Sequence, residues 1–408
     1  MNILLGVTGS ISAYKTFDIL RGLISNGHEV SVILTNGALE FVRPELFKYL
    51  GAKKILLPNS SFNPNFESSD QQMIHIEITR WADKFVIVPA SANTIANLAN
   101  GNANDLLTAT FLAWESQKPI IIFPAMNTKM LNHQFTCRNI ETLNTLPNLF
   151  VHPTIQGSLA CGDIGFGKLP EVEKIIELIP VLSNIKTSYS KKILIVTGAT
   201  ISPLDPVRYL TNSSSGITGF HLAKEALNLG HTVHVIAGHN ATTKLNYFTS
   251  HPNYTIEKTK TNQEMFQAVK ESIATSDIYL SAAAIGDINF PEHAEKIKKD
   301  NLMESLPIES ATDILSYVLK TKKDHQQIVG FAAETNLSPE VLNKKWKNKP
   351  VDLLVGTKVH NGFINNQKQE GFSEHDATYS ILKEGNLHFD GKMTKDELST
   401  YIFGNIAQ

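Results

Sequence analysis

Cysteine is scarce: 408 residues hold two, Cys137 and Cys161, with no CxxC pair and no metal-ligand spacing. That excludes a disulfide framework and a zinc ribbon, and it fits a reducing compartment in which free thiols persist. An excess of one charge is missing too. Lys and Arg number 37 against 39 Asp and Glu, a formal net charge of −2, so bulk charge gives no reason to expect nucleic acid or a membrane surface as partner. No apolar run approaches the ~20 residues of a membrane span. The opening Met1–Gly6 has neither the basic stretch nor the apolar length of a signal peptide, and a cytoplasmic location is expected. Hydrophobic residues at 42% and charged residues at 19% are ordinary for a soluble globular chain. The length exceeds one ordinary core, which predicts two domains.

Each half opens in the same way. Residues 2–7 (NILLGV) read as a strand, followed by Thr8-Gly9-Ser10, a helical stretch from Ile11 to Ser25, a glycine turn and the strand EVSVILT. The pattern returns with KKILIVTGA at 191–199 and ALNLGHTVHVIAG at 226–238. A strand, a Gly turn, a helix and a strand form the first βαβ unit of a doubly wound sheet. The fold class is therefore α/β, with two doubly wound, Rossmann-like or flavodoxin-like domains at 1–180 and 191–408 and a polar linker at 181–190. The second opening carries an insertion, ISPLDPVRYLTNSSSG (201–216), at the strand edge where open α/β sheets bind ligands.

Neither Gly turn is a dinucleotide fingerprint, and no acid follows Leu34-Thr35-Asn36 to hold a ribose hydroxyl, which counts against NAD. Instead Ser10, Ser12, Thr35, Ser91, Asn93 and Thr94 gather hydroxyls and amides at successive strand ends, beside the Gly9 turn. Such groups at helix N-termini suit a single phosphate monoester, and flavin mononucleotide (FMN) fits. They equally serve as helix caps and turn residues. Cys161 sits in GSLACGDIGFGK (157–168), a segment whose glycines read as a mobile loop rather than helix or strand. On residue type alone this thiol is small apolar filler.

Five words of the first half, GVTGSISAYK, HIEITRWAD, ASANTIANLANGNANDLL, PAMNTKM and GSLACGDIGFGKL, resemble the FMN-dependent phosphopantothenoylcysteine decarboxylases. In the second half, VTGATISPLDPVRYLTNSSSG, KIKKD, VGFAAETN and DLLVG resemble phosphopantothenate–cysteine ligases. Together they resemble the bifunctional coenzyme A biosynthesis family over almost the whole chain. The resemblance implies that CTP activates the carboxylate of 4′-phosphopantothenate as an acyl-cytidylate, which the amine of cysteine attacks. It further implies a flavin-dependent oxidation of the product to a thioaldehyde, loss of CO2 to an enethiolate, and return of the electrons to give 4′-phosphopantetheine.

By the same resemblance His75 is the active-site histidine, an imidazole being suited to base work near pH 7. Asn127 holds the substrate carboxylate and amide. Cys161 becomes the acid that protonates the enethiolate carbon, on a glycine-flanked lid; Cys137 remains filler. In the ligase half Asn212 holds the acyl-cytidylate and Lys296 is the catalytic lysine. Ser281, Ala282, Ala283, Ala284, Asp287, Lys296, Thr312, Asp313, Ile314, Leu315, Phe331, Lys345 and Lys349 fall on nucleotide-contact positions. Mg2+ is expected with the triphosphate, with Asp287 as its residue, and the family implies a homo-oligomer, a dodecamer. The chain departs from the family at Ile217, where lysine is usual, and at Gly356-Thr357, where Ala-Asn is common. Two alternatives stay open: a decarboxylase with an impaired ligase domain, and a non-catalytic regulatory or assembly protein.

Overall fold

The computed structural model describes residues 1–58, 73–159, 162–182, 190–291, 293–298, 305–359 and 376–406. They form two compact units, Met1–Lys186 and Thr187–Gln408.

In the first unit six parallel strands make one sheet: β1 (Asn2–Val7), β2 (Glu29–Leu34), β3 (Ile55–Leu56), β4 (Lys84–Ala90), β5 (Ile120–Pro124) and β6 (Leu149–Val151). Their order is β3-β2-β1-β4-β5-β6. The runs KFVIVPA and IIIFP are buried along their whole length, as central parallel strands covered by helices on both faces must be. Leu4, Ile33, Phe85, Ile87, Leu107 and Ile122 anchor the core on one face. The chain winds outward from β1 through β2 to β3, then returns to place β4 on the other side of β1. The order reverses there, between β1 and β4, and such switch points hold the ligand crevices of these sheets. An antiparallel pair, β7 (Ile155–Ser158) and β8 (Ile164–Lys168), follows outside the sheet. Gly157, Gly165 and Gly167 thus stand in paired strands rather than in the expected loop.

The unit closes with the helix Val172–Val181, whose C-terminal carbonyls on Ile179 and Leu182 accept from buried Lys84 Nζ at 3.0 and 3.1 Å. Burial pulls that ammonium down to about 7. His152, after β6, is 1% exposed and stacks on Phe123. Burial lowers its imidazole to about 4, so it is neutral and donates from Nδ1 to Pro153 O at 2.6 Å.

The second unit repeats the plan. Its strands are β9 (Lys192–Ala199), β10 (Ile201–Pro203), β11 (Tyr209–Thr211), β12 (Thr232–Ala237), β13 (Tyr254–Lys258), β14 (Ile278–Ala284), β15 (Ile288–Asn289), β16 (Glu309–Ser310), β17 (Gln327–Glu334), β18 (Leu353–Lys358), β19 (Ala377–Lys383) and β20 (Asn386–Met393). The sheet order is β13-β12-β9-β14-β17-β18-β19-β20, with β19 and β20 antiparallel additions at one edge. The doubly wound α/β architecture holds in both units. The inserted segment 201–216 contains the small hairpin β10–β11. Ile217, which opens the helix Ile217–Asn228, is 5% exposed, so this position faces the interior. Among the described residues no helix is long and apolar enough to cross a membrane.

Candidate active sites

A cleft of about 590 Å3 opens at the C-terminal ends of β1, β4 and β5, a volume suited to a small-molecule ligand. Each strand runs into a helical segment whose N-cap borders it. Ser10 Oγ accepts from Ser12 N at 3.4 Å, Ser91 Oγ from Thr94 N at 3.3 Å, and Asn127 Oδ1 from Lys129 N at 2.8 Å. Buried Thr8 ties two of these ends together, accepting from Ser91 N at 2.9 Å and donating to Pro89 O at 2.8 Å. Gly9, Ser10, Ser12 and Ser91 line the cleft; Thr35, Asn93 and Thr94 do not. Thr35 is buried, with its hydroxyl accepting from Ala38 N at 3.2 Å, and Thr94 is buried beneath Ser91. Asn93 is exposed on the helix Ala92–Ala99.

The hairpin β7–β8 forms another wall through Ser158, Leu159, Gly167 and Lys168. Its glycines serve close approach. A Cβ on Gly167 would stand 2.1 Å from Met126 O, and one on Gly165 2.3 Å from Thr128 Oγ1. In that space Met126 N donates to Gly167 O at 3.1 Å and Thr128 Oγ1 to Phe166 O at 2.6 Å. Both neighbours of Asn127, Met126 through its backbone and Thr128 through its hydroxyl, are therefore fastened to β8. Cys161 lies outside the described residues. His75 is the second residue of the helix Ile74–Trp81, half-buried, and does not line the cleft of its own chain. Cys137 is exposed on the helix Gln134–Asn144, so it is not buried filler.

Two lysines that sequence reasoning passed over, Lys15 and Lys168, also border the cleft. The signal for Lys15 was its place at the end of GVTGSISAYK, one turn past the Gly9–Ser12 caps. Chemically, hydroxyls, backbone N–H groups and two ammonium groups suit a phosphate monoester, while Ile11, Met126 and Met130 offer apolar cover for a flat ring.

In the second unit the expected residues also gather at strand C-termini. Ser281 is buried in β14 and Ala282, Ala283 and Ala284 are half-buried at its end. Asn212 Nδ2 donates to Ala284 O and Ile285 O, both at 3.2 Å. The next turn is held from two sides. Gly286 N donates to Thr200 Oγ1 at 2.8 Å, and buried Asn262 donates to Gly286 O at 3.3 Å and to Thr312 O at 3.1 Å. Asp287 and Thr312 are exposed, and Phe331 is half-buried in β17. Asp313 caps the helix Ile314–Thr321, accepting from Ser316 N at 3.0 Å. Ile314 is 1% exposed in the core, with Leu315 partly buried against it. Lys349 Nζ lies 2.6 Å from Asp313, and Lys345 is paired with Glu334. Lys296 is exposed, next to Ile297. Among the described residues no three His, Cys, Asp or Glu side chains are grouped to hold a metal, so Asp287 belongs to no such group.

With this geometry in view, two family models match the chain: Flavoprotein over residues 1–183, and the DNA/pantothenate metabolism flavoprotein C-terminal domain over residues 189–408. The chain is 36% identical over 410 residues to the coenzyme A biosynthesis bifunctional protein CoaBC of Haemophilus influenzae, covering 100% of this chain and 97% of that one. This chain belongs to the CoaBC family. It is also 33% identical to the CoaBC of Escherichia coli K12 over 389 residues, 94% of this chain and 91% of that protein. Among solved structures, the FMN binding protein AtHal3 is 33% identical, with a TM-score of 0.38 over 44% of this chain and 94% of that one. As a CoaBC member the chain is a bifunctional enzyme of coenzyme A biosynthesis, a flavoprotein decarboxylase joined to a ligase.

Proposed function

We propose that the second unit ligates 4′-phosphopantothenate to cysteine with CTP, and that the first unit, holding FMN, decarboxylates 4′-phospho-N-pantothenoylcysteine to 4′-phosphopantetheine. The observation that carries the reading is the cleft itself: the caps Ser10, Ser91 and Asn127 and the hairpin flanking Cys161 all border one space. FMN fits there: Gly9, Ser10, Ser12, Ser91 and the two lysines would hold its phosphate, and Met126 and Met130 would cover its ring. When bound it supplies reversible uptake of a hydride equivalent. Asn127, fixed at a helix N-cap, orients the substrate carboxylate and amide with an uncharged donor, which does not hold back a group about to leave as neutral CO2. Cys161 gives its thiol proton to the enethiolate carbon. His75 accepts the substrate thiol proton; because it stands off its own cleft, a homo-oligomer in which it serves another copy accommodates it, and the family resemblance points to a dodecamer.

In the ligase half a carboxylate oxygen attacks the α-phosphorus of CTP and pyrophosphate leaves; the cysteine amine then attacks the acyl carbon and CMP leaves. Lys296 counters charge developing on phosphate, Lys345 and Lys349 meet the triphosphate after leaving their carboxylate partners, and Asp287 takes Mg2+. We place both reactions in the cytoplasm. The purified full chain is expected to be yellow, to release FMN on denaturation, and to convert 4′-phosphopantothenate, cysteine and CTP to 4′-phosphopantetheine and CO2. A colourless protein that FMN cannot reconstitute, or one that stalls after decarboxylating supplied substrate, overturns the first or the second half respectively.

A further inference from the structure

We propose that Asp205 is a positioning residue of the ligase reaction, holding Lys296 in place through the backbone of Ile297. The side chain of Asp205 is fully buried. Its Oδ1 accepts from Val207 N and Arg208 N, both at 2.8 Å, closing a local turn. Its Oδ2 accepts from Arg208 Nε at 2.9 Å and also from Ile297 N at 3.3 Å, far away in sequence. Arg208 completes the grip by donating from its guanidinium to Ile297 O at 3.0 Å. One ion pair thus holds both polar groups of the residue after Lys296.

The turn at 205–208 closes on itself without Ile297, so the long-range bond is not needed to fold it. Lys296 gains most from that bond. Its side chain is exposed, and among the described residues it makes no ion pair, so the backbone beneath it sets where its ammonium can reach. The pair with Arg208 and the surrounding N–H donors hold the Asp205 carboxyl well below the usual carboxylate range. The clamp therefore stays charged at any working pH. Asparagine would keep the size, remove the charge, and turn an N–H toward Arg208 or Ile297 where an acceptor is needed.

The inference rests on Lys296 acting in ligation. The test uses the full chain and the variant Asp205→Asn, assayed for pyrophosphate release with CTP, 4′-phosphopantothenate and cysteine. A misplaced catalytic group is expected to lower ligation kcat about 100-fold. KM for CTP is expected to stay within about threefold, because nucleotide contacts on other loops are intact. Decarboxylation of supplied 4′-phospho-N-pantothenoylcysteine is expected to be unchanged. Hydrogen exchange followed by mass spectrometry is expected to show the Ile297 amide protected in the unaltered protein and exposed in the variant. Wild-type kcat, a loss seen only in KM, or a fast-exchanging Ile297 amide in the unaltered protein each overturns the proposal. Should Asp205→Asn fail to fold, Ile297→Pro, which deletes the donated N–H and spares the Asp205–Arg208 pair, decides it: unchanged ligation overturns the clamp and loss of kcat supports it. Lys296→Gln that ligates at the normal rate overturns the role of the lysine itself, a failure separable from the clamp by the exchange result.

Discussion

The two units share one strand plan and dress its strand ends differently. Reading β9, β12, β13, β14, β17 and β18 against β1 to β6, the order is the same, with the reversal between the first and fourth strands in both. At the first reversal the walls are mostly neutral: capping hydroxyls, a carboxamide and backbone N–H groups, with Lys15 beside them and Lys168 paired with Glu171 at 3.2 Å. In the second unit the expected ligand residues include three lysines, and two of them are already engaged. Lys345 is paired with Glu334, Lys349 with Asp313, and the loop of Lys296 is tied to Asp205 and Arg208. Strand order decides where a ligand is held; the segments grafted on the strand ends decide what is held. A resident cofactor calls for a preformed neutral cradle. Under the proposed function, a triphosphate that arrives and leaves each cycle meets cations parked on carboxylates.

The sharpest way to break this division is Lys296→Gln. Ligation is expected to fall by about 10³-fold or more, with decarboxylation of supplied 4′-phospho-N-pantothenoylcysteine intact; equal loss of both activities shows that the units do not work separately. Next in size is Gly167→Ala. Its φ of +133° and the 2.1 Å approach to Met126 O leave no room for a Cβ. The hairpin is expected to lift from the Asn127 loop, lowering decarboxylation about 100-fold while ligation continues. Assaying both reactions on one preparation checks it.

A smaller effect separates the units by acid. His152 is neutral when folded, with its imidazole at about 4 against 6.5 when unfolded. Between those values the unfolded chain binds the extra proton, so the stability of the first unit is complete above 6.5 and drains away as pH falls toward 4. The loss is on the order of 3 kcal/mol. Denaturant melts at pH 7 and 4.5 measure it, and His152→Phe is expected to flatten that difference. The smallest effect is Glu334→Gln, which releases Lys345. A half-exposed pair of this kind is worth up to about 1 kcal/mol, so KM for CTP is expected to drop by at most about fivefold. A rise in KM shows that Glu334 assists the nucleotide instead.

Much of the sheet was legible because β-branched runs such as KFVIVPA and PIIIFPA can only be buried strands at that length. The caps were legible too, and their two readings proved compatible: Ser10 and Ser91 close helices and line the cleft at once. The hairpin was not. Four glycines in twelve residues are the same in one dimension whether they loosen a loop or admit a neighbour, and the neighbours, Met126 and Thr128, lie some forty positions earlier. That His75 does not line the cleft was invisible for a related reason, since a motif gives residue type but not where the residue stands in the fold. Ile217 is the converse case: a departure from the family's usual lysine that the sequence left unexplained falls at an interior position that takes an apolar side chain.

The pairing of β1 has a consequence for the newborn chain. Asn2 to Val7 finds its first partner in β2 but its second only when residues 84–90 have been made, since Ile3 sits beside Lys84. At the usual ~5–20 residues per second, translation leaves roughly 3–10 s in which a strand of Ile3, Leu4 and Leu5 shows one bare edge to solvent. The second unit passes through the same interval, because Ile193 waits for Ile278. In each unit the innermost strand is synthesised first and waits for the fourth, and the crevice beside it comes into existence only as that exposure ends and the bare edge passes outward to the newer strand.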